Sequence, residues 1–379
     1  MLATEAYKKY PEETVVGFFR STSPELVIRD PELVKRILIT DFQHFYDRGF
    51  NSHKTSIEPL FKNLFFADGD LWKLIRKGFS QSFSTGKIKA MFSIITERAE
   101  KLQLQAAEIS KLEYYDMREL IASEVETVII ALVKKILKSR NYEPSGKNDF
   151  IDLMLELKKK VELELDDIIM TAQCFVFFGA GFETSSISAS YTLHQLAFNM
   201  EYQEKVQAEI DRILPKHNNK LTYEAINELN TLEKAFYEAL RMFPPVAFLI
   251  RKCTSPTYTF PEINLTINEG VKVIIPVQAL HNDEKYFREP EKFNPDRFST
   301  ANEFKNNIFL PFGDGPRACV ASRLGKVLAM AGIAAILQKF TVEPCAISRL
   351  HPIPQPMAVV SESFIGGLPL KLTERTRSL

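Results

Sequence analysis

The chain has 379 residues, with 48 Lys and Arg against 48 Asp and Glu, so its formal net charge is zero. That balance argues against a general nucleic-acid binder, which carries a basic excess. The mix of 45% hydrophobic and 25% charged residues is that of an ordinary globular protein, 29 Phe point to an aromatic-rich interior, and four scattered cysteines with no CxxC pair argue against a disulfide framework or a zinc site.

In chain order, the polar N-terminus shows no secretory leader and leads almost directly into folded-looking sequence. Short strands are expected at Thr14–Phe19 and Glu25–Arg29 around a Ser-Thr-Ser-Pro turn. Asp30 then caps a helix that starts at Pro31 and runs to about Ile39. Helical character begins near residue 70. Met91, Ile95, Ala99, Leu102, Ala106 and Ile109 recur every three to four residues and form one apolar stripe. Further helices are expected over Ala122–Lys138, from Asp166 or Asp167 to about Asn199, and over Met200–Leu214 and Leu229–Phe243, with a loop at Asn141–Asn148. After Pro244 and Pro245 the pattern changes to short strands at Thr257–Phe260, Asn264–Ile267 and Val271–Ile275. A last helix covers Ser322 to Phe340, and weak strands close the chain. The longest apolar run, Val327–Leu337, has 11 residues, fewer than the roughly 18 that a membrane span needs. The fold class is therefore mainly α with small β sheets, the strands being too short and dispersed for a doubly wound sheet.

The segment with the clearest chemistry is Phe309-Leu-Pro-Phe-Gly-Asp-Gly-Pro-Arg-Ala-Cys-Val-Ala-Ser-Arg. Glycines let backbone approach a flat group closely. A cysteine just before a helix start feels the positive end of the dipole, which favours its thiolate, and a thiolate in such a loop can ligate haem iron. The plainer reading of one cysteine among four is a buried structural thiol. A second motif, Glu238-Ala-Leu-Arg241, places two opposite charges on one helix face. Alone it is a common surface ion pair, but here its helix is apolar. A third, Gly179-Ala-Gly-Phe-Glu183-Thr184-Ser185, puts two glycines inside a long helix, where each costs about 1 kcal/mol relative to Ala. A kink or close approach to a flat group, and a simple helix–helix contact, both explain them. Trp72 and Arg76 share a helix face. The six histidines form no HxxH pattern, and no nucleotide-binding GxGxxG is present.

These motifs together resemble the cytochrome P-450 superfamily of haem-thiolate monooxygenases. Its cysteine loop reads Phe-x-x-Gly-x-Arg-x-Cys-x-Gly, matched by Phe312, Gly315, Arg317 and Cys319, with Ala321 in the last position. The resemblance implies haem (iron protoporphyrin IX) as cofactor, Cys319 as the metal ligand, and Trp72, Arg76, Arg251 and Arg317 as partners of the haem carboxylates. It implies that Thr184 and Glu183 are catalytic, handling protons delivered to dioxygen. It also implies a structural lock of Glu238, Arg241 and Arg297, the last from Pro295-Asp-Arg297-Phe298. Phe178, Phe182, Val246, Phe248 and Phe364 are candidate substrate contacts.

Stretches such as Leu38–Arg48 look most like the insect microsomal, xenobiotic-metabolising branch. The expectation is one domain over residues 1–379, with the family's N-terminal anchor and a block near 119–130, part of the helices that roof the substrate pocket, missing. The implied activity is insertion of one oxygen atom from dioxygen into a small apolar substrate. Electrons would come from NADPH through a separate flavoprotein reductase. The setting would be the cytoplasmic face of the endoplasmic reticulum, with peripheral membrane association. Lys73, Lys77, Lys87, Lys89, Arg323 and Lys326 form either a docking patch for that reductase or plain solvated surface. An alternative is a shortened isoform that binds haem but is catalytically impaired. A third is a member that rearranges peroxides, against which the Glu183-Thr184 pair argues.

Overall fold

The computed structural model describes residues 2–50, 61–80, 83–117, 140–146, 151–152, 154–156, 167–299, 307–355 and 363–376. The expected helix over Ala122–Lys138 and the block near 119–130 lie outside them. In chain order the elements are α1 (Leu2–Lys9), β1 (Val15–Arg20), β2 (Ser23–Ile28), α2 (Pro31–Lys35), α3 (Gly69–Ser80), α4 (Thr85–Ile109), β3 (Tyr115–Asp116) and α5 (Asp167–Phe198). They continue with α6 (Met200–Ile213), α7 (Tyr223–Glu228), α8 (Asn230–Met242), β4 (Leu249–Lys252), β5 (Thr257–Phe260), β6 (Leu265–Asn268) and β7 (Lys272–Ile275). The chain closes with α9 (Val277–His281), α10 (Ser322–Lys339), β8 (Phe340–Pro344) and β9 (Pro369–Glu374).

Three small sheets result. One has the order β1-β2-β7-β4, with β2 parallel to β7 and the other pairs antiparallel. The second is β3-β9-β8, and the third is the β5-β6 hairpin. The expected strands are present within a residue or two. Strand β4 was not anticipated, because Leu249-Ile-Arg-Lys is too short to show an alternation. It matters because it carries Arg251 into the interior.

The helix capped by Asp30 differs from expectation. The carboxylate accepts the Glu32 and Leu33 amides, but the α-helix stops at Lys35 and continues as a π turn over Arg36–Thr40. The Asp41 amide donates five residues back, to the Arg36 carbonyl, at 2.8 Å. Such wide turns occur at functional sites, and this one presents Leu38 to the cysteine loop.

The largest core lies among α4, α5, α6, α8 and α10. The α4 stripe is real: Ile95, Ala99, Leu102 and Ala106 are buried. Helix α10 is nearly all apolar because α4, α5 and α6 pack around it. The second half of α5 buries polar side chains, yet each is satisfied locally. The hydroxyls of Ser186, Ser188, Ser190 and Thr192 donate to the carbonyls four residues earlier, at 2.6–2.8 Å. At its end His194 is buried, and its Nε2 donates to the Arg349 carbonyl at 2.9 Å.

The lock expected from Glu238, Arg241 and Arg297 is formed. Glu238 and Arg241 have no solvent exposure. Arg241 Nε and Nη2 donate to the two Glu238 oxygens at 2.8 and 2.9 Å, and Arg297 Nε reaches Glu238 Oε1 at 3.2 Å. The remaining Arg241 donors bind the carbonyls of His281 and Pro290 at 2.9 and 2.7 Å. One carboxylate thus ties α8 to the chain that precedes the cysteine loop.

Glu238→Ala strands two guanidiniums in the interior, and the expected loss is about 3–5 kcal/mol, read from urea unfolding. Acid should also weaken the fold through His194. Burial pushes its pKa down from 6.5 to about 4, so below pH 6.5 the unfolded chain takes up a proton that the folded chain refuses. Stability should fall with decreasing pH across that window, by up to about 1.4 kcal/mol per unit from this ring. A His194→Gln variant should show a correspondingly shallower slope between pH 6.5 and 4 in the same titration.

Candidate active site

Cys319 lies in a loop that folds back on itself. The Gly313 amide donates to Leu310, Ala318 to Gly315, and Cys319 to Phe312, at 2.8–3.0 Å. Gly313 and Gly315 have φ of +68° and +70°, a region that favours glycine. Gly315 is constrained a second time, because any Cβ there would overlap the Leu38 carbonyl of the π turn. The loop then runs into α10, and the Ala321 amide hydrogen-bonds the Cys319 sulfur.

Cys319 opens to solvent on one side. The surrounding protein nevertheless pushes its thiol above the usual range, against the Ala321 amide and the guanidiniums of Arg76 and Arg48. The helix start and the neighbouring amide favour the thiolate, as expected, but in the protein alone burial outweighs them.

Four arginines surround this loop, and all are partly or fully withdrawn from water. Arg317 and Arg251 are 4% and 1% exposed. Arg317 lies over the Trp72 ring at 4.2 Å, so Trp72 serves as a platform for a cation as well as core. Arg317 Nη2 donates to the Ala67 carbonyl at 3.0 Å and meets Asp68 at 3.4 Å. Arg76 Nη1 donates to the Ala318 carbonyl at 2.8 Å, next to the cysteine. Among the described residues Arg251 donates to its neighbour Ile250, at 2.8 Å. The fourth, Arg48, was missed by sequence reasoning. It holds the Phe65 carbonyl at 2.6 Å and lies over the Phe65 ring.

Burial followed by mutual repulsion lowers the pKa of Arg317 to about 9 and that of Arg251 well below the usual value. Burial likewise lowers Arg48, to about 10, and Arg76, both opposed by Cys319. Arg251 Nε and Arg317 Nε and Nη1 are buried without a partner. Among the described residues these four guanidiniums and Lys252 outnumber the nearby carboxylates Asp47 and Asp68, and buried donors on Arg251 and Arg317 are unused. Such a site fits a flat dianion, and the two carboxylates of haem meet that requirement.

Helix α5 crosses near the loop. A Cβ on Gly325 would lie 3.9 Å from Ser185 Oγ and 4.0 Å from the Phe312 ring, which brings Ser185 and the loop to one place. The segment Phe175–Ser185 is exposed or half-exposed, whereas 186–197 is buried. Among the described residues, added side-chain carbons at Gly179 and Gly181 would meet nothing within 4 Å. Thr184 Oγ1 donates to the Ala180 carbonyl at 2.7 Å, which leaves its lone pairs as acceptors. Glu183 is half-exposed beside it. Phe178 and Phe182 stack in parallel, 5.8 Å apart, on this open stretch. Phe364 packs elsewhere, on Tyr191 and Phe243 at 5.2 and 5.6 Å. Phe248 packs on the sheet core, and Val246 is half-buried.

The anticipated cationic patch is largely neutralised. Lys73 pairs with Asp70, Lys87 with Glu156, Lys89 with Glu224 and Lys326 with Glu233. Arg323 reaches the Thr85 hydroxyl at 3.4 Å.

Comparison with known proteins agrees with this geometry. The family described as Cytochrome P450 matches residues 2–129 and 112–364. Cytochrome P450 6B6 of Helicoverpa armigera is 34% identical over 90% of this chain and 81% of its own length. Cytochrome P450 6B5 of Papilio glaucus is 31% identical over 91% and 87%, and cytochrome P450 6a2 of Drosophila melanogaster 31% over 97% and 88%. The alignment with the first spans 414 positions against 379 residues here, so that relative carries internal residues this chain lacks. A cysteine loop ringed by four arginines and a set of insect relatives point the same way: the chain belongs to the cytochrome P450 family, the haem-binding monooxygenases.

Proposed function

We propose that the protein oxidises small apolar molecules, inserting one oxygen atom of dioxygen, with Cys319 as the iron ligand. The observation that carries the reading is the uncompensated positive charge around the cysteine loop. Arg48, Arg76, Arg251 and Arg317 would hold the haem carboxylates, with Trp72 backing Arg317, while Phe312 and Gly315 shape the loop beneath the ring. When bound, haem supplies the iron that activates dioxygen, and the thiolate raises its electron density.

The rest is the work of this chain's own groups. The Ala321 amide, Arg76 and Arg48 stabilise the negative sulfur. Thr184 Oγ1, its proton committed to Ala180, accepts a hydrogen bond and so keeps a proton-bearing water close to dioxygen. Glu183 exchanges protons with solvent and relays them to that water. Phe178 and Phe182 offer an apolar wall for the substrate.

Electrons would come from NADPH through a separate flavoprotein reductase. Lys77 and Arg323, which have no carboxylate partner among the described residues, are the cations on this face best able to attract an acidic donor. No helix among the described residues is long and apolar enough to cross a membrane. We infer association with the cytoplasmic face of the endoplasmic reticulum, for which Phe19, 74% exposed on β1, is one apolar contact. A second reading, haem binding with impaired turnover, is favoured by the open middle of α5, since water reaching the site diverts reduced oxygen to peroxide. Product formation with a reconstituted reductase supports the first reading; NADPH consumption with only peroxide released supports the second.

Cys319→Ser should abolish the red-shifted Soret band of the reduced, carbon-monoxide-bound protein; an unchanged spectrum and iron content would refute the assignment. Arg251→Leu should act in opposite directions on the two forms. Removing an unpaired buried charge should stabilise the haem-free chain by at least about 1 kcal/mol in urea unfolding, while haem affinity falls roughly 10- to 100-fold, read by haem transfer to an acceptor protein.

A further inference from the structure

His281, the last residue of α9, is fully buried and touches two parts of the structure. Its carbonyl accepts Arg241 Nη1 of the lock at 2.9 Å. Its ring Nε2 accepts the Leu310 amide at 2.8 Å. The ring packs on Phe309 at 5.2 Å and Phe287 at 6.4 Å, and Phe287 also lies against the Arg241 guanidinium. Leu310 is where the cysteine loop begins. Its carbonyl takes the Gly313 amide, and the Phe312 carbonyl takes the Cys319 amide. Movement of the Leu310 peptide therefore reaches the cysteine through two short hydrogen bonds.

An imidazole that accepts at Nε2 carries its one proton on Nδ1. Here Nδ1 makes no well-aligned hydrogen bond, so the tautomer is fixed by what Leu310 requires. Burial pushes the ring's pKa down to about 3, with the Arg241 charge acting the same way and the carbonyls of Leu240, Arg241 and Ile308 acting against it. A protonated ring would lose its acceptor for Leu310 and set a second cation beside Arg241.

We propose that His281 is a positioning residue for Cys319: its neutral imidazole, by accepting the Leu310 amide, joins the Glu238–Arg241–Arg297 lock to the cysteine loop. The inference rests on Cys319 being the iron ligand. Its test begins with the wild-type chain. Nitrogen NMR of histidine-labelled protein should show Nε2 unprotonated, with a coupling across the hydrogen bond to Leu310; a proton on Nε2 would overturn the proposal.

The variants His281→Gln, whose amide oxygen can accept the Leu310 amide, and His281→Met, whose thioether accepts only weakly, then differ chiefly in accepting strength. In the Met variant the Gly313 and Cys319 amides should exchange about tenfold faster or more, with exchange in α10 unchanged. Part of its red-shifted carbon-monoxide band should be lost while haem is retained. The Gln variant should keep both properties. Equal exchange and equal spectra in the two variants would overturn the proposal. Should the Met variant fail to fold, the wild-type tautomer together with wild-type loop exchange in the Gln variant sustains it, and a loosened loop in the Gln variant overturns it. Haem-loaded wild type with no red-shifted band would refute Cys319 as ligand instead, a result the tautomer and exchange measurements do not share.

Discussion

Repulsion among buried guanidiniums is the constraint on which this architecture depends. Beyond the cost of burial, Arg48 and Arg317 lower the pKa of Arg251, Arg48 and Arg76 that of Arg317, and Arg76 that of Arg48, while Asp68 relieves Arg48 and, with Asp47, Arg317. Even Asp68 is compromised, since burial and Asp47 raise its own pKa. Taking charge out of water costs several kcal/mol per ion after relaxation. Buried positive charge beside a cysteine suits an anionic ligand, and haem, which carries two carboxylates, fits that charge. The charge imbalance thus supports a haem site independently of any motif.

The scaffold answers that electrostatic load with rigidity placed around the cysteine. Arg76 holds the Ala318 carbonyl from α3, the Leu38 carbonyl presses on Gly315 from the π turn, and the Leu310 amide is held from α9. Each restraint comes from a different element, so the loop is fixed in three directions before any ligand binds. That is preorganisation of the kind a metal ligand needs, because a loop free to move would let the sulfur drift from its iron.

Much of this was legible in the sequence, and for a common reason. The cysteine loop, the Glu238–Arg241 pair and the Pro295-to-Phe298 segment are short and local, with glycine, proline and charge at fixed spacing. The long helices announced themselves through Ile95, Ala99, Leu102 and Ala106. What stayed hidden depends on contacts between distant residues. Arg48 sits in no motif and becomes a site residue only because Phe65 and Asp68 hold it against the loop. The π turn breaks a helix whose cap and proline read as ordinary. His281 was one of six histidines without a pattern, and its partners lie 40 positions before it and 29 after it. The neutralised lysines are a similar case, since Glu224 and Glu233 are far in sequence from Lys89 and Lys326.

Helix α5 shows where fold and activity part company. Its second half is sealed in the core by a ladder of self-satisfied hydroxyls, so the helix does not depend on whatever covers its first half. The loop, the arginines and the lock draw on α3, α8, α9, α10 and β4. On the proposed function, haem retention depends on charge and rigidity on the cysteine side, and oxygen coupling on how completely water is kept from Phe178, Phe182 and Thr184. A chain of this design can bind its cofactor firmly and still differ widely from its relatives in how much of the reduced oxygen ends in product.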